Sequence, residues 1–447
     1  MEIDADHASR VDRVANAVRE GGGGKVRLRK DTSNLFRDRA TNLSHALDVR
    51  DFNHVLKVDA ARGLVEAEGM VTYEGLVAAT LAHGLVPAVV PELKTITLGG
   101  AAAGVGIEAS SFKFGLVHET LAELEILTGD GRVLTCRPDN QHADLFFGFP
   151  NSYGTLGYAL KLTARAIPTQ PFVEVTRRRH TDSAAFFKKL AAACVDENDF
   201  VDGVAFGPHD LFVNVGRFVA SAPYTSDYTY ERIYYRSIKD REVDYLTAHD
   251  YIWRWDTDWF WCSKNVGAQN PLLRRLYGRR RLGSRTYQRL MRWNARWGMT
   301  RMLNQWRGGY TESVIQDVDI PIENAEAFLR FFDRDVRVYP MWTCPVRATA
   351  LADRFTLYPL KPGQLYVNFG FWDVARRRQT HEAGYLNRLI EAEVARLGGI
   401  KSLYSDSYYA PEVFWQLYGG DGYRALKAKY DPAGAFPDLY QKCVMRH

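Results

Sequence analysis

No apolar run in this 447-residue chain is long enough to cross a bilayer. The longest, about Leu76 to Val90, is interrupted by His83, Gly84 and Pro87. The first residues, Met-Glu-Ile-Asp-Ala-Asp, are acidic and lack the apolar centre of a signal peptide. Cysteine is scarce and scattered: Cys136, Cys194, Cys262, Cys344 and Cys443, with no CxxC pair. That argues against a zinc ribbon, thioredoxin chemistry and a disulfide framework, and for a reducing compartment. The expectation is a cytoplasmic protein, at most peripheral on the inner face of a membrane. Net charge is small, +5 from 58 Lys+Arg and 53 Asp+Glu, and 46% of residues are apolar, so the chain is neither disordered nor fibrous. Aromatic residues, by contrast, are plentiful at 13%, with ten Trp. Such a supply suits large ligand pockets and membrane interfaces as well as ordinary cores.

Periodicity predicts a helix over 10–20, with Val11, Val14, Ala15 and Val18 on one face. Gly21 to Gly24 breaks it. Short strands are expected at Lys25–Arg29, Ala46–Val49, Val55–Val58 and Leu64–Glu68, then a helix over Glu74–His83 that stops at Gly84. Leu121–Thr128 and Arg132–Arg137 alternate around Gly129-Asp130-Gly131 and predict a hairpin. A strand over Tyr158–Ala166 follows. Beyond residue 172 the predicted strands Val173–Arg179 and Val204–Val215, with helices at Ser183–Ala193, Asn324–Asp333 and His381–Leu397, suggest strands with helices packed on one side.

Two glycine-rich stretches stand out. In Thr97-Leu98-Gly99-Gly100-Ala101-Ala102-Ala103-Gly104-Val105-Gly106-Ile107-Glu108-Ala109-Ser110, small residues let backbone approach a ligand, and successive N–H groups make a cradle for a pyrophosphate. The same residues equally suit a close helix or strand contact. The spacing is not GxGxxG, and the acidic residue of a Rossmann unit is missing. The second stretch, Gly154-Thr155-Leu156-Gly157, leads into the strand at Tyr158.

The order Val65–Thr72, Thr97–Gly106, Asp130–Leu134, Ala143–Phe147 and Gly154–Gly157, with Tyr423–Pro437 near the C-terminus, resembles the flavin-binding fold of the vanillyl-alcohol-oxidase type. Gly104–Gly115, Val338–Pro345, Leu403–Tyr409 and Phe414-Trp415 are most similar to Δ24-sterol reductases and bacterial relatives that reduce methylene-branched fatty acyl chains. The resemblance implies an α+β architecture. A PCMH-type FAD-binding domain of two α/β subdomains spans 1–172, an α+β substrate or cap domain 173–397, and a closing C-terminal segment 398–447. It implies FAD held by Thr97, Leu98, Gly99, Gly100, Gly104, Gly106, Ile107, Glu108, Ser110, Gly154 and Gly157. It also implies NADPH as electron donor and a lipid substrate. The loop corresponding to the first phosphate loop, Lys30–Asn34, has no His or Cys, so non-covalent FAD is expected. The N-terminal membrane anchor of the animal sterol reductases has no counterpart at the start of this sequence, in keeping with the cytoplasmic expectation.

An isolated C=C bond has no carbonyl to accept electrons, so hydride transfer to it calls for a proton donor in a dry pocket. Tyr404, Asp406 and Tyr408 fall at i, i+2 and i+4, and in a strand they share a face. They read either as a proton-delivering trio or as two core aromatics flanking a turn. Glu108 and Lys113 read either as flavin or substrate contacts or as an ion pair. Between Pro271 and Tyr310 eleven arginines occur with no Asp or Glu, interleaved with Leu, Met and Trp293, Trp297 and Trp306. An interfacial segment on anionic lipid is the first reading, plain packing the second, and nucleic-acid binding the least favoured.

Overall fold

A computed structural model describes residues 2–21, 25–32, 45–286, 289 and 310–445. The N-terminal helix runs Glu2–Glu20 and starts earlier than its apolar stripe. Val14, Ala15 and Val18 are buried against Val26, Leu47, Phe52 and Tyr158. The strands Val26–Arg29 and His45–Asp48 pair in parallel beneath it.

The second sheet is built around the 11-residue strand Tyr158–Pro168. Leu64–Glu68 and Leu121–Leu127 flank that strand, with Val55–Asp59 and Val133–Cys136 outside them. Leu85–Pro87 pairs with its far end. The predicted hairpin forms, with Asp130 accepting from Thr128 Oγ1 at 2.6 Å and Gly131 at φ +78°.

The third sheet has eight antiparallel strands in the order Val243–Thr247, Phe172–His180, Asp210–Val219, Phe200–Gly207, Met341–Arg347, Leu365–Arg377, Tyr310–Pro321, Ile400–Lys401. The last of these brings the C-terminal segment into this sheet. The span Val204–Val215, expected as one strand, is two: Pro208 and His209 make the turn of a hairpin in which Val204 faces Phe212. Alternation then divides the sheet. Val314, Val318, Phe369 and Phe371 pack with the helices Ser183–Ala193, Ala325–Asp335 and Tyr385–Arg396 on one side. Ile315, Trp342 and Trp372 belong to a separate aromatic cluster on the other. Among the described residues no helix is long and apolar enough to cross a membrane.

Candidate functional site

A cavity of about 420 Å³ lies where the three sheets meet. Thr97 and Gly99–Ala101 form part of one wall. This stretch is a helix, Leu98–Ala103, capped by Thr97, whose Oγ1 accepts from the Gly100 amide at 3.1 Å. The Gly99 amide donates to Gly69 O at 2.9 Å, and a Cβ on Gly99 would sit 2.7 Å from that oxygen. The early glycines therefore serve close packing, and their amides are used within the protein. The donors without an acceptor among the described residues come just afterwards, at Val105, Gly106 and Ile107, all on the cavity wall. Gly154 (φ +76°) and Gly157 (φ +149°) bring a second loop to the same wall in a conformation that favours glycine. Arg27, Lys30 and Lys442 add positive charge. These amide donors, beside cations and close backbone, fit the diphosphate and ring oxygens of a flavin dinucleotide.

The eight-stranded sheet supplies the opposite wall. Asp317, Gly370 and Trp342 are direct neighbours across three strands, so all three share one face. Trp372, two residues beyond Gly370, joins them. Its Nε1–H donates to Tyr404 Oη at 2.8 Å. Tyr404 in turn lies beside the Asp317 carboxyl, and each influences the acidity of the other. The segment carrying Tyr404 is fixed by Ser402, whose amide donates to Asp317 O at 3.1 Å. Phe260 packs on Trp372 with ring centroids 4.4 Å apart. Trp259, Phe260 and Trp261 all take positive φ, which non-glycine residues rarely adopt and which clusters at functional sites.

Burial raises the Asp317 carboxyl to about 7; the Tyr404 hydroxyl works against that rise and the nearby Asp319 adds to it. Oδ1 of Asp317 is buried without a hydrogen-bond partner among the described residues. Burial also pushes the Tyr404 phenol well up, aided by Asp317. The cavity therefore holds a carboxyl whose pKa is raised to near neutral pH, beside a phenol and walled by indoles. No group of His, Cys, Asp and Glu suited to a metal occurs among the described residues.

Residues 6–137 match the FAD binding domain family. The chain carries a PCMH-type FAD-binding domain. It is 27% identical to human Delta(24)-sterol reductase over 410 residues, covering 87% of this chain and 75% of that protein. The Caenorhabditis elegans homolog dhcr-24 is 25% identical over 91% of this chain and 80% of its own length. Cytokinin dehydrogenase 7 of rice is 32% identical over only 124 residues, 28% of this chain and 24% of that protein. These similarities and the cradle make the chain an FAD-dependent oxidoreductase with the expected α+β fold.

Of the residues expected around FAD, Thr97, Gly99, Gly100, Gly104, Gly106, Ile107, Gly154 and Gly157 line the cavity. Leu98 points into the core, and Ser110 donates to Ala88 O at 2.7 Å. Glu108 is bound to Arg254 at 2.9 Å, in a cluster that also holds Glu92 and Asp202. Lys113 is held separately, by Asp196 O at 2.8 Å. In the C-terminal segment the strand ends at Lys401, and Tyr404 lies beyond it on the cavity wall. Asp406 is not on that wall, and its carbonyl accepts from Lys401 Nζ. Tyr408 turns toward the outer helix, its amide bound to Glu391 and its ring beside Arg388. Of the Lys30–Asn34 loop, Lys30 and Thr32 line the cavity, and Ser33 and Asn34 lie outside the described residues. Asp317 and the aromatic wall went unforeseen. The sign available in the sequence was an acidic residue alternating out of an apolar strand, Val314–Ile320, where a core position would be apolar.

Proposed function

We propose that the protein reduces an unconjugated C=C bond in a lipid, and that its substrate is a methylene-branched acyl chain of a phospholipid, reduced to the methyl-branched chain. The observation that carries this is the Asp317–Tyr404 acid set in an aromatic-walled cavity continuous with the flavin cradle. Bound non-covalently and reduced, FAD would supply the hydride, with NADPH as the source of electrons. The chain's own residues supply the rest. Trp259, Phe260, Trp342 and Trp372 exclude water around an apolar chain. Tyr404 would give its Oη proton to one alkene carbon, the other being the one to which the reduced flavin would supply hydride. Asp317 returns a proton to Tyr404, so the charge rests on the carboxylate rather than the phenolate. Asp317 takes the part that spacing alone offered to Asp406 and Tyr408.

The sterol side-chain reductases among the similar proteins favour a second substrate of the same class, a Δ24 sterol. One experiment separates the two. The protein is reduced anaerobically with NADPH and mixed with vesicles holding a methylene-branched phospholipid, with a Δ24 sterol, or with oxygen. Fast reoxidation by the phospholipid is expected. Reoxidation by sterol alone moves the assignment to the second substrate, and reoxidation by oxygen alone rejects both. Acid precipitation should leave the flavin in solution.

A further inference from the structure

We infer that the helix Pro271–Tyr277, with the turn Arg279–Arg281 after it, docks the protein on an anionic lipid surface. Leu272 and Leu276, one turn apart on one helix face, are 72% and 77% exposed. No other exposed large apolar side chain among the described residues passes 51%. Single exposed leucines are ordinary, whereas a pair projecting beside cations is the pattern of an interfacial helix. Arg275, Arg279 and Arg285 are exposed but have acidic neighbours in Glu231, Asp227 and Glu74. Arg280 and Arg281 are exposed and have no acidic partner among the described residues. The apolar ridge and these two guanidinium groups together complement an anionic bilayer; a protein groove would need no such excess of charge.

The helix is fastened from behind. Arg274, 2% exposed, reaches inward to Asp258 at 2.7 Å and to Ala268 O at 3.2 Å. Asn270 caps the first turn, accepting from the amides of Leu272 and Leu273. Asp258 directly precedes Trp259 and Phe260 on the cavity wall. A bilayer touching Leu272 and Leu276 is thus tied through one buried ion pair to the wall that a lipid chain must pass. In that respect the inference rests on the lipid substrate proposed above.

The test is sedimentation of the full-length flavoprotein with vesicles of phosphatidylglycerol and phosphatidylcholine, against vesicles of phosphatidylcholine alone. Binding should prefer the anionic vesicles and fall as salt rises. Replacing Arg280 and Arg281 with Gln should weaken anionic binding about twenty-five-fold, at about fivefold for each basic residue. Leu272→Ala with Leu276→Ala should weaken it on the order of tenfold, with flavin content unchanged. Equal binding to both vesicles, indifference to all four substitutions, or tighter binding to DNA than to anionic vesicles would each overturn the inference. Since sedimentation needs no turnover, a protein that docks as described but reduces neither lipid would reject the proposed function and leave the docking surface standing.

Discussion

Two groups of buried carboxyls lie in this molecule, and they differ in whether a cation lies among them. Around Arg254, Glu92, Glu108 and Asp202 approach the guanidinium at 2.7, 2.9 and 3.0 Å, all without appreciable exposure. Around Asp317 the partners are neutral: Tyr404 for Asp317, and Tyr358 and Asn368 for its neighbour Asp319. Arg254 pins the Glu92 loop, the end of the flavin loop and the strand Phe200–Gly207 to one point. Three acids still outnumber one cation, and burial raises Glu92 and Glu108 as well. Glu92 also lines the cavity but is held by Arg254, whereas Asp317 meets the cavity beside a phenol. The same residue type thus ties segments together in one place and stores an available proton in the other.

The sharpest way to break that comparison is to remove a partner from each side. Arg254→Leu strands three carboxyls in the interior and should cost about 3–5 kcal/mol of stability. Denaturant unfolding should show it, and retained stability would mean the cluster is not the tie described. Asp317→Asn is the counterpart. Lipid reduction should fall about 10²- to 10⁴-fold, the range for a general acid. Flavin reduction by NADPH should be unchanged, and a parallel loss of both half-reactions would make Asp317 structural.

The acidity of Asp317 gives a sign to the pH dependence. Its proton is present below about 7, so flavin reoxidation by lipid should fall as pH rises through that value. Stability follows the same direction. A carboxyl raised on folding contributes fully below its ordinary range, and that contribution is lost as pH rises through the folded value. The unfolding free energy of wild type relative to Asp317→Asn should therefore decline between about pH 4 and pH 7 and level off above. A pH-independent difference would contradict the buried neutral acid.

Much of this was legible in the chain. Alternation and turn residues predicted the strands around Leu64–Glu68, the hairpin at Gly129–Gly131 and the long strand at Tyr158, because each is a local pattern with one buried face. Glycine content pointed to the cradle but not to its donors: which amides stay unpaired depends on the Thr97 cap and on Gly69, a contact between distant segments. Spacing brought Tyr404 forward. It paired Tyr404 with Asp406 because both lie on one stretch, whereas its structural partner Asp317 lies 87 residues earlier and arrives by strand register. Trp293, Trp297 and Trp306, expected at a lipid boundary, lie outside the described residues.

Gly370 allows a gentler test of the same wall. It sits between Asp317 and Trp342 in the register, with a backbone that any residue can adopt, so its identity is a matter of space. A Cβ there would lie 2.7 Å from Asp317 Oδ1 and closer still to the Trp372 indole. The indole is the nearest neighbour, so it must turn, and its Nε1–H would leave Tyr404 Oη. Gly370→Ala should then cost about 1–3 kcal/mol of stability, the usual range for overpacking. The lipid half-reaction should slow by more than that loss explains at saturating substrate, while flavin reduction keeps its wild-type rate. Trp372→Phe in the same background relieves the crowding without restoring the hydrogen bond. If the double variant recovers stability but not lipid turnover, the indole's role is to orient Tyr404. If it recovers both, Gly370 only makes room, and the Tyr404–Asp317 pair orients itself.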